Sequence, residues 1–287
     1  MDLKRIKNLF LHFWRSDNGK ISLIRDILVA LIAVLIILTA LWAYTGQWFG
    51  TPMVAIESGS MMHDDEPYGR IGTIDAGDMV LLVKVNDRDD VVPYCEAITQ
   101  GNDGIHTYGM YGDVIVYRNL GDADADQIIH RSMCWVDVEI NESGNLYTIE
   151  EYSITRQRSL YIPELGIKTP SGSAVTPNWS HSGFITKGDN PSSNKLCDQV
   201  SEICPEPIKL EWISGKARSE LPWIGTINLF FNDLTNGRLT GEGDGKPPTV
   251  YNVAEDSLVC LFILIAILIS IPIGLDLYDY YREKNRN

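Results

Sequence analysis

Two long apolar blocks constrain this 287-residue chain more than any other feature. They occupy residues 27–44 and 258–275, and neither contains a charged side chain. Each is about as long as a helix must be to cross the hydrocarbon core of a bilayer. Because a helix in lipid satisfies its backbone hydrogen bonds within one segment, we predict transmembrane helices over 27–47 and 257–275.

The pattern disfavours two alternatives for these blocks. A buried core helix would show one apolar stripe, whereas both blocks are apolar on every face. A cleaved signal peptide has a shorter apolar stretch than the first block. Trp42, Tyr44 and Trp48 also lie at the end of that block, as aromatic residues do at a membrane interface.

Basic residues set the expected orientation. They cluster on the terminal side of each block: Lys4, Arg5, Lys7, Arg15, Lys20 and Arg25 before the first, and Arg282, Lys284 and Arg286 after the second. Since such flanks stay inside, we predict cytoplasmic segments at 1–26 and 276–287. The chain is then a multi-pass protein of the cytoplasmic membrane, with its middle segment extracytoplasmic and the bilayer as a partner.

The charge of the middle segment excludes one class of partner. Nine of the 24 Lys and Arg residues and six of the 38 Asp and Glu residues lie in or beside the two ends. The middle segment therefore carries 15 basic and 32 acidic residues, a surplus of 17 negative charges. Such a surplus repels a phosphate backbone, so we expect no nucleic acid as a partner.

Four of the five cysteines lie in the middle segment: Cys95, Cys134, Cys197 and Cys204. In an extracytoplasmic domain an even number permits two disulfides, and Cys197 with Cys204 is the closest pair in sequence. No closely spaced cysteine pair with matching histidines is present. We therefore predict neither a metal site nor a cofactor.

Residues 48–239 are predicted to form a β-rich domain. Short runs of β-branched and aromatic residues bounded by turn-forming residues are typical of strands. We expect strands at 79–85, 113–118, 127–131, 134–140, 146–149, 184–187 and 208–213. Residues 142–145 are a candidate hairpin turn, and only residues 227–234 show helical periodicity. The Gly-rich segment 240–256 is predicted to be a flexible tether.

A Ser-Gly-Ser sequence at residues 58–60 follows the first span closely. Glycine permits a sharp turn that presents a hydroxyl, and a base that removes its proton makes serine a nucleophile. The chain has five histidines: His12, His63, His106, His130 and His181. His130 follows two isoleucines on a predicted strand that could hold its ring rigidly. Alone, such a serine loop or strand histidine is more often structural.

Taken together and in this order, these motifs resemble the type I signal peptidase family. The serine box is 58–61, a glycine-aspartate strand follows at 112–117, and 129–131 reads Ile-His-Arg. Residues 186–190 read Thr-Lys-Gly-Asp-Asn, and residues 76–80 fit the stretch after the serine. Bacterial members have lysine where His130 stands, whereas members from archaea and the eukaryotic secretory pathway have histidine. The resemblance covers most of residues 27–230.

The resemblance implies a role for each matched residue. Ser60 would be the nucleophile and His130 the general base, with Ser58 assisting the Ser60 backbone amide in stabilising the oxyanion. The family's catalytic acid is usually the second aspartate of the fourth box, which here would be Asp198, with Asp189 as its support. The implied fold is a signal-peptidase-like set of small antiparallel sheets flanked by two transmembrane helices.

Three departures from the family pattern bear on these assignments. His63 stands where members usually have proline. The gap between His130 and Asp189 is long, so residues 139–182 are predicted to be an insertion. The gap between Asp189 and Asp198 is also long and contains Cys197, which leaves open which aspartate is the acid.

The resemblance also implies the activity and the partners. The expected function is removal of N-terminal signal peptides from secreted pre-proteins after small residues in an Ala-x-Ala pattern. The peptide would lie extended against a strand edge, and the translocation machinery is an expected neighbour. Two alternatives stay open: another processing serine peptidase, and an inactive membrane-anchored surface or assembly protein that keeps the fold.

Overall fold

The computed structural model describes residues 12–14, 18–48, 52–63, 71–241, 243–253 and 255–284. The chain divides into two units, residues 1–52 and 53–287. The first contains helix α1 (Gly19–Thr45), whose N-cap Asn18 accepts a hydrogen bond from the Lys20 amide. Gly46 ends this helix in the left-handed conformation, where a side chain would be strained.

Two helices are long and apolar enough, by length and composition, to cross a membrane. They are α1 and α4 (Glu255–Lys284), which closes the second unit. Helix α1 begins eight residues before the predicted start at Ile27 and ends at Thr45, two residues before the predicted end. Helix α4 begins at Glu255 and runs past the predicted end at residue 275 through Asp276. Their apolar side chains are largely exposed, as expected for helices apolar on all faces.

The second unit is built around an antiparallel sheet. Its strands are β1 (Met53–Ala55), β2 (Met79–Val83), β5 (Val114–Arg118), β6 (Gln127–Glu139), β7 (Leu146–Ile149), β8 (Ile154–Gln157), β9 (Gly183–Lys187) and β10 (Ile213–Leu221). The order is β1-β2-β10-β5-β6-β7-β8, with β9 paired to β6. Strands β3 (His106–Thr107) and β4 (Met110–Tyr111) form a separate hairpin. The mainly β prediction with terminal apolar helices is confirmed at this level.

Two shorter helices complete the second unit. Helix α2 (Tyr94–Thr99) follows Pro93, and it is too short to leave a periodic signal in the sequence. Helix α3 (Gly225–Thr235) coincides with the stretch that showed helical periodicity. A 3₁₀-helix at Thr249–Asn252 precedes α4.

Strand β6 organises the sheet because it is 13 residues long and pairs with three neighbours. Its first part pairs with β5, placing His130 opposite Ile115. Its middle pairs with β9, placing Arg131 opposite Lys187. Its end forms the predicted hairpin with β7, in which Glu139 faces Leu146.

One predicted strand is corrected by this architecture. The strand predicted at 208–213 is instead a single bridge from Ile208 to Phe184, followed by a 3₁₀ turn at Leu210–Trp212, because Trp212 N–H donates to the carbonyl of Lys209. The segment predicted as a flexible tether, residues 240–256, makes hydrogen bonds to α3 near its end. Asp233 of α3 accepts hydrogen bonds there from Thr249 Oγ1 at 3.0 Å and from Val250 N–H at 2.9 Å.

Residues 139–182, predicted to be an insertion, form ordered secondary structure. They contain β7, β8 and a bridge between Leu160 and Val175. Buried residues from this segment, such as Tyr147 and Leu165, share one apolar cluster with Ile185 of β9. The segment is therefore packed into the core.

Candidate active site

His130 and Arg131 are neighbours on β6, so their side chains point to opposite faces of the sheet. Both are buried, at 3 % and 0 % exposure. Each meets one of the two aspartates that the sequence left as alternatives. The alternation of side chains along one strand thus separates two polar networks.

His130 contacts Asp198. Its Nδ1 lies 2.7 Å from Asp198 Oδ2, and the two side chains are 4 % and 0 % exposed. A carboxylate can only accept, so in the neutral ring Nδ1 is assigned the proton and Nε2 has the lone pair. Nε2 makes no hydrogen bond to a described residue. The ring is therefore oriented as a general base requires.

Asp198 is held in place from several sides. Its amide donates to the Thr186 carbonyl at 2.8 Å, and its own carbonyl accepts from the Cys204 amide at 3.3 Å. Tyr117 OH donates to the same Oδ2 at 2.7 Å and accepts from Thr186 Oγ1 at 3.3 Å. Burial first, and then the Asp198 charge, raise the pKa of Tyr117 well above its usual range, which keeps the hydroxyl a donor.

One carboxylate oxygen of Asp198 has an unsatisfied hydrogen-bonding capacity. Oδ1 is buried and has no hydrogen-bond partner among the described residues. A carboxylate oxygen in that condition costs free energy, because its water has been removed without replacement. This group is thus not optimised for stability alone.

Asp189 binds Arg131 instead. Its Oδ1 accepts from Nε at 2.8 Å and its Oδ2 from the terminal nitrogen at 2.5 Å, a bidentate pair. The remaining Arg131 nitrogen donates to Thr107 Oγ1 and to backbone carbonyls, the nearest being that of Gly112 at 2.7 Å. Burial acts to raise the pKa of Asp189, but Arg131 and His63 together hold it below its usual value.

His63, the residue at the family's proline position, joins the Asp189 network. Its Nε2 lies 3.5 Å from Asp189 Oδ2. Of the other histidines, His106 stacks edge-on against Tyr111, and His181 lies 3.8 Å from Glu206. Among the described residues, only His130 has a carboxylate at hydrogen-bonding distance from its Nδ1.

The serine loop is docked onto the turn that follows β9. Asn190 N–H donates to the Ser60 carbonyl at 2.9 Å, and Asn190 Nδ2 donates to the Gly59 carbonyl at 2.8 Å. Gly188 permits this approach, since a Cβ there would lie 2.6 Å from the Ser60 carbonyl oxygen. Strand β9 pairs with β6 beside His130, so the docking brings Ser60 to the same end of the sheet pair.

Ser60 is half-buried in this turn, while Met61 is buried beneath it. Ser58 Oγ donates to Ser60 Oγ at 3.4 Å. No hydrogen bond joins Ser60 Oγ to His130 in the described part of the chain. In unliganded serine peptidase sites this bond is often long and tightens when substrate binds.

Sequence reasoning did not assign a role to Tyr117 or Asn190. Both lie inside the motifs that carried the resemblance, Tyr117 at the end of the second and Asn190 at the end of the fourth. The signal was therefore present, but only the structure shows that one touches Asp198 and the other the serine loop.

The cysteine prediction is wrong in the structure: all five cysteines are free. Cys197 packs in one apolar cluster with Cys95 and Cys134, whereas Cys204 packs in another cluster with Phe184. Proximity in sequence therefore did not bring the Cys197 and Cys204 side chains together. Backbone hydrogen bonds and Tyr117, rather than a disulfide, hold Asp198.

The described residues contain no group of three or more His, Cys, Asp or Glu side chains arranged to hold a metal. Neither a family model nor a curated protein matches this chain. The interpretation of the site therefore rests on its motifs and on its geometry.

Proposed function

We propose that this protein is a membrane-anchored serine endopeptidase that removes N-terminal signal peptides from secreted pre-proteins. The observation that carries the proposal is the buried His130–Asp198 contact at 2.7 Å, together with the docking of the Ser60 loop onto the turn after β9. Ordinary packing does not require a buried histidine in contact with a buried carboxylate. Acyl transfer by a serine nucleophile does.

Each residue has a defined part in the proposed reaction. His130 Nε2 takes the proton of Ser60 as its Oγ attacks the scissile carbonyl carbon, and then gives that proton to the leaving amine. Asp198 stabilises the imidazolium that forms between these steps. Water, activated by the same histidine, then hydrolyses the acyl-enzyme and restores Ser60.

The negative oxygen of the tetrahedral intermediate needs donors close to Ser60. The Ser60 backbone N–H and the Ser58 hydroxyl, whose Oγ lies 3.4 Å from Ser60 Oγ, are the candidates. Removing one such donor from comparable sites costs about 3–4 kcal/mol of transition-state stabilisation. Ser58 would have to turn its hydroxyl from Ser60 towards the substrate oxygen, which a freely rotating hydroxyl permits.

An extended substrate has an available strand edge. Strand β1 is the end of the sheet and pairs only with β2 among the described strands. It ends at Ala55, five residues before Ser60. A signal peptide that adds to this edge would bring its cleavage site to Ser60, with backbone hydrogen bonds giving affinity and small side chains fitting against the sheet.

The proposed location follows from the apolar helices α1 and α4. Their length and composition suit a bilayer, and the basic residues beyond them favour cytoplasmic termini. The β-rich unit then lies on the outer side, where signal peptides leave the translocation machinery. The proposed partners are therefore the pre-proteins, the bilayer and that machinery.

The test is cleavage of a purified pre-protein by the full-length chain in proteoliposomes. Ser60→Ala should lower the rate by roughly 10⁴- to 10⁶-fold, since the residual rate comes only from binding and oxyanion stabilisation. Ser171→Ala, an exposed serine in a turn, is the matched control and should cleave normally. The new N-terminus, read by mass spectrometry, should follow a small residue.

Two results would replace the proposal with its alternatives. Near-normal turnover by Ser60→Ala would remove Ser60 from the mechanism. A folded parent protein that cleaves no pre-protein, in a membrane where a known signal peptidase does, would favour the inactive surface or assembly protein. Cleavage of internal sites only would favour another processing serine peptidase.

A further inference from the structure

Helix α3 exposes an apolar stripe. Ile227, Phe230, Phe231 and Leu234 are 40–57 % exposed and recur at the spacing that places residues on one face of a helix. The buried face of the helix carries Thr226, Leu229 and Asp233. A surface helix normally puts polar side chains on the face that points away from the core. This helix has apolar side chains there.

The exposed face of α3 carries no charge. The one ionisable residue of the helix is Asp233, which is buried. It binds Thr249, Val250 and, at 3.4 Å, Arg238. Two phenylalanines and two aliphatic residues in one uncharged stripe are typical of a surface that is covered in the working protein.

Helix α3 is fixed at both ends, and the segment that leads into α4 lies close to each of them. Towards its end, Asp233 holds Thr249 and Val250. At its start, Thr226 N–H donates to the Gly77 carbonyl at 2.9 Å. Val253 packs at the same glycine, since a Cβ on Gly77 would lie 2.9 Å from its Cγ1. Helix α3 therefore runs alongside residues 249–253.

The apolar part of α4 begins close to this segment. Leu258 is the fourth residue of α4 and stands about 5 Å along the helix axis from its start. Tyr251, which is 73 % exposed, adds an aromatic ring beside α3. A bilayer that surrounds α4 from Leu258 onwards would thus begin at the level of α3. This continuity favours lipid over a protein partner as the cover.

We propose that the exposed face of α3, together with Tyr251, lies in the boundary between lipid headgroups and acyl chains. The proposal rests on the proposed membrane location of α4. Helices with an apolar face of Phe and Leu bind lipid in this way, lying in the interface plane. The Tyr251 ring has an apolar body and a polar hydroxyl, which suits the same depth.

This surface is coupled to the serine loop. Asn252 Nδ2 donates to the Glu57 carbonyl at 2.8 Å, immediately before the Ser58–Ser60 turn. Residues 249–253 are thus held by α3 on one side and hold the serine loop on the other. An interfacial α3 would keep Ser60 at the membrane surface, where the end of a membrane-embedded signal peptide becomes accessible.

The test uses the purified full-length protein in phosphatidylcholine vesicles that contain a phospholipid with a photoactivatable acyl chain. After illumination, proteolysis and mass spectrometry locate the lipid adducts. The expected result is labelling of both α4 and α3. Ile140 and Tyr161, which are 71 % and 55 % exposed and belong to the segment between β6 and β9, serve as internal controls and should stay unlabelled.

A double variant, Phe230→Gln with Phe231→Gln, sharpens the result. Both side chains are exposed, so the fold should persist by circular dichroism, while labelling of α3 is lost and labelling of α4 is kept. Labelled α4 with unlabelled α3 in the parent would overturn this proposal and leave the membrane location intact. An unlabelled α4 would overturn the membrane location as well. Equal labelling of α3 in parent and variant would also overturn the proposal, because the stripe would then play no part.

Discussion

Strand β6 carries two adjacent buried pairs that differ in how fully their hydrogen-bonding capacity is used. On one face, every side-chain nitrogen of Arg131 donates, and both oxygens of Asp189 accept. On the other face, His130 Nε2 makes no hydrogen bond to a described residue, and Asp198 Oδ1 is buried without one. The first pair is saturated and the second is not.

This difference separates a structural pair from a candidate catalytic one. A buried pair that serves the fold gains from satisfying all its donors and acceptors, because each unmet group costs free energy. A pair that serves a reaction must keep capacity for groups that arrive only with substrate. By that criterion we propose Asp198, rather than Asp189, as the catalytic partner of His130.

The largest expected effect is that of Asp198→Asn. An amide at this position favours the wrong histidine tautomer, and the same change in a comparable triad lowers kcat about 10⁴-fold. We expect the rate of pre-protein cleavage to fall by that order while thermal unfolding stays close to the parent's. Asp137→Asn, an exposed aspartate on the same strand, is the control and should retain the parental rate.

Asp189→Asn should have the opposite profile. It leaves the Arg131 guanidinium buried without its counter-charge, which in comparable pairs costs about 3–5 kcal/mol of unfolding free energy. Chemical denaturation measures this loss, and the fraction that stays folded should cleave at nearly the parental rate. Replacing both partners, as Arg131→Met with Asp189→Leu, should recover part of the stability, because no uncompensated charge remains.

Together these two variants can reverse the assignment. If Asp198→Asn cleaves normally, and Asp189→Asn is inactive although as stable as the parent, then Asp189 is the catalytic acid. In that case, the number of satisfied hydrogen bonds in the Arg131–Asp189 and His130–Asp198 pairs would not indicate which pair is catalytic.

Tyr117→Phe should have a smaller effect on both properties. It removes one of two donors to Asp198 Oδ2, so we expect a loss of about 1–2 kcal/mol in stability and a roughly ten-fold lower rate. Tyr147→Phe is the matched control, since Tyr147 is equally buried and donates to the Pro177 carbonyl at 2.7 Å. It should cost similar stability with no change in rate. Equal rate losses in both variants would show that Tyr117 acts only through folding.

The smallest expected effect is on the acid stability of the fold. Arg131 and His63 hold the pKa of Asp189 below its usual value against the effect of burial. A lowered folded-state pKa gives stability that is present above the unfolded pKa, about 3.9, and is lost as pH falls through the folded pKa. Unfolding free energy measured from pH 6 downwards should therefore fall more steeply below about pH 4 in the parent than in Asp189→Asn. Parallel curves would contradict this role.

Several parts of the fold could be predicted because their signal is local. The strands around Val116 and Tyr147, the hairpin turn at 142–145 and the helix at Gly225–Thr235 each follow from a periodicity or a turn motif a few residues long. The strand predicted at 208–213 was wrong for a non-local reason. The backbone of Ile208 forms hydrogen bonds with that of Phe184 on β9, and a 3₁₀ turn follows in place of further strand. The predicted disulfide was also wrong for a non-local reason, because the Cys197 and Cys204 side chains pack in different apolar clusters.

By itself, the sequence determined the two apolar helices, the β-rich middle segment and the candidacy of Ser60 and His130, since composition and short motifs decide these. Only the tertiary structure decided which aspartate meets His130. Both aspartates follow β9 in one loop-rich stretch, so chain order does not distinguish them. The register of β6 and β9 sets Arg131 opposite Lys187, and this brings Asp189, two residues further on, to the arginine. Because side chains alternate along β6, His130 points to the other face of the sheet, where Asp198 lies.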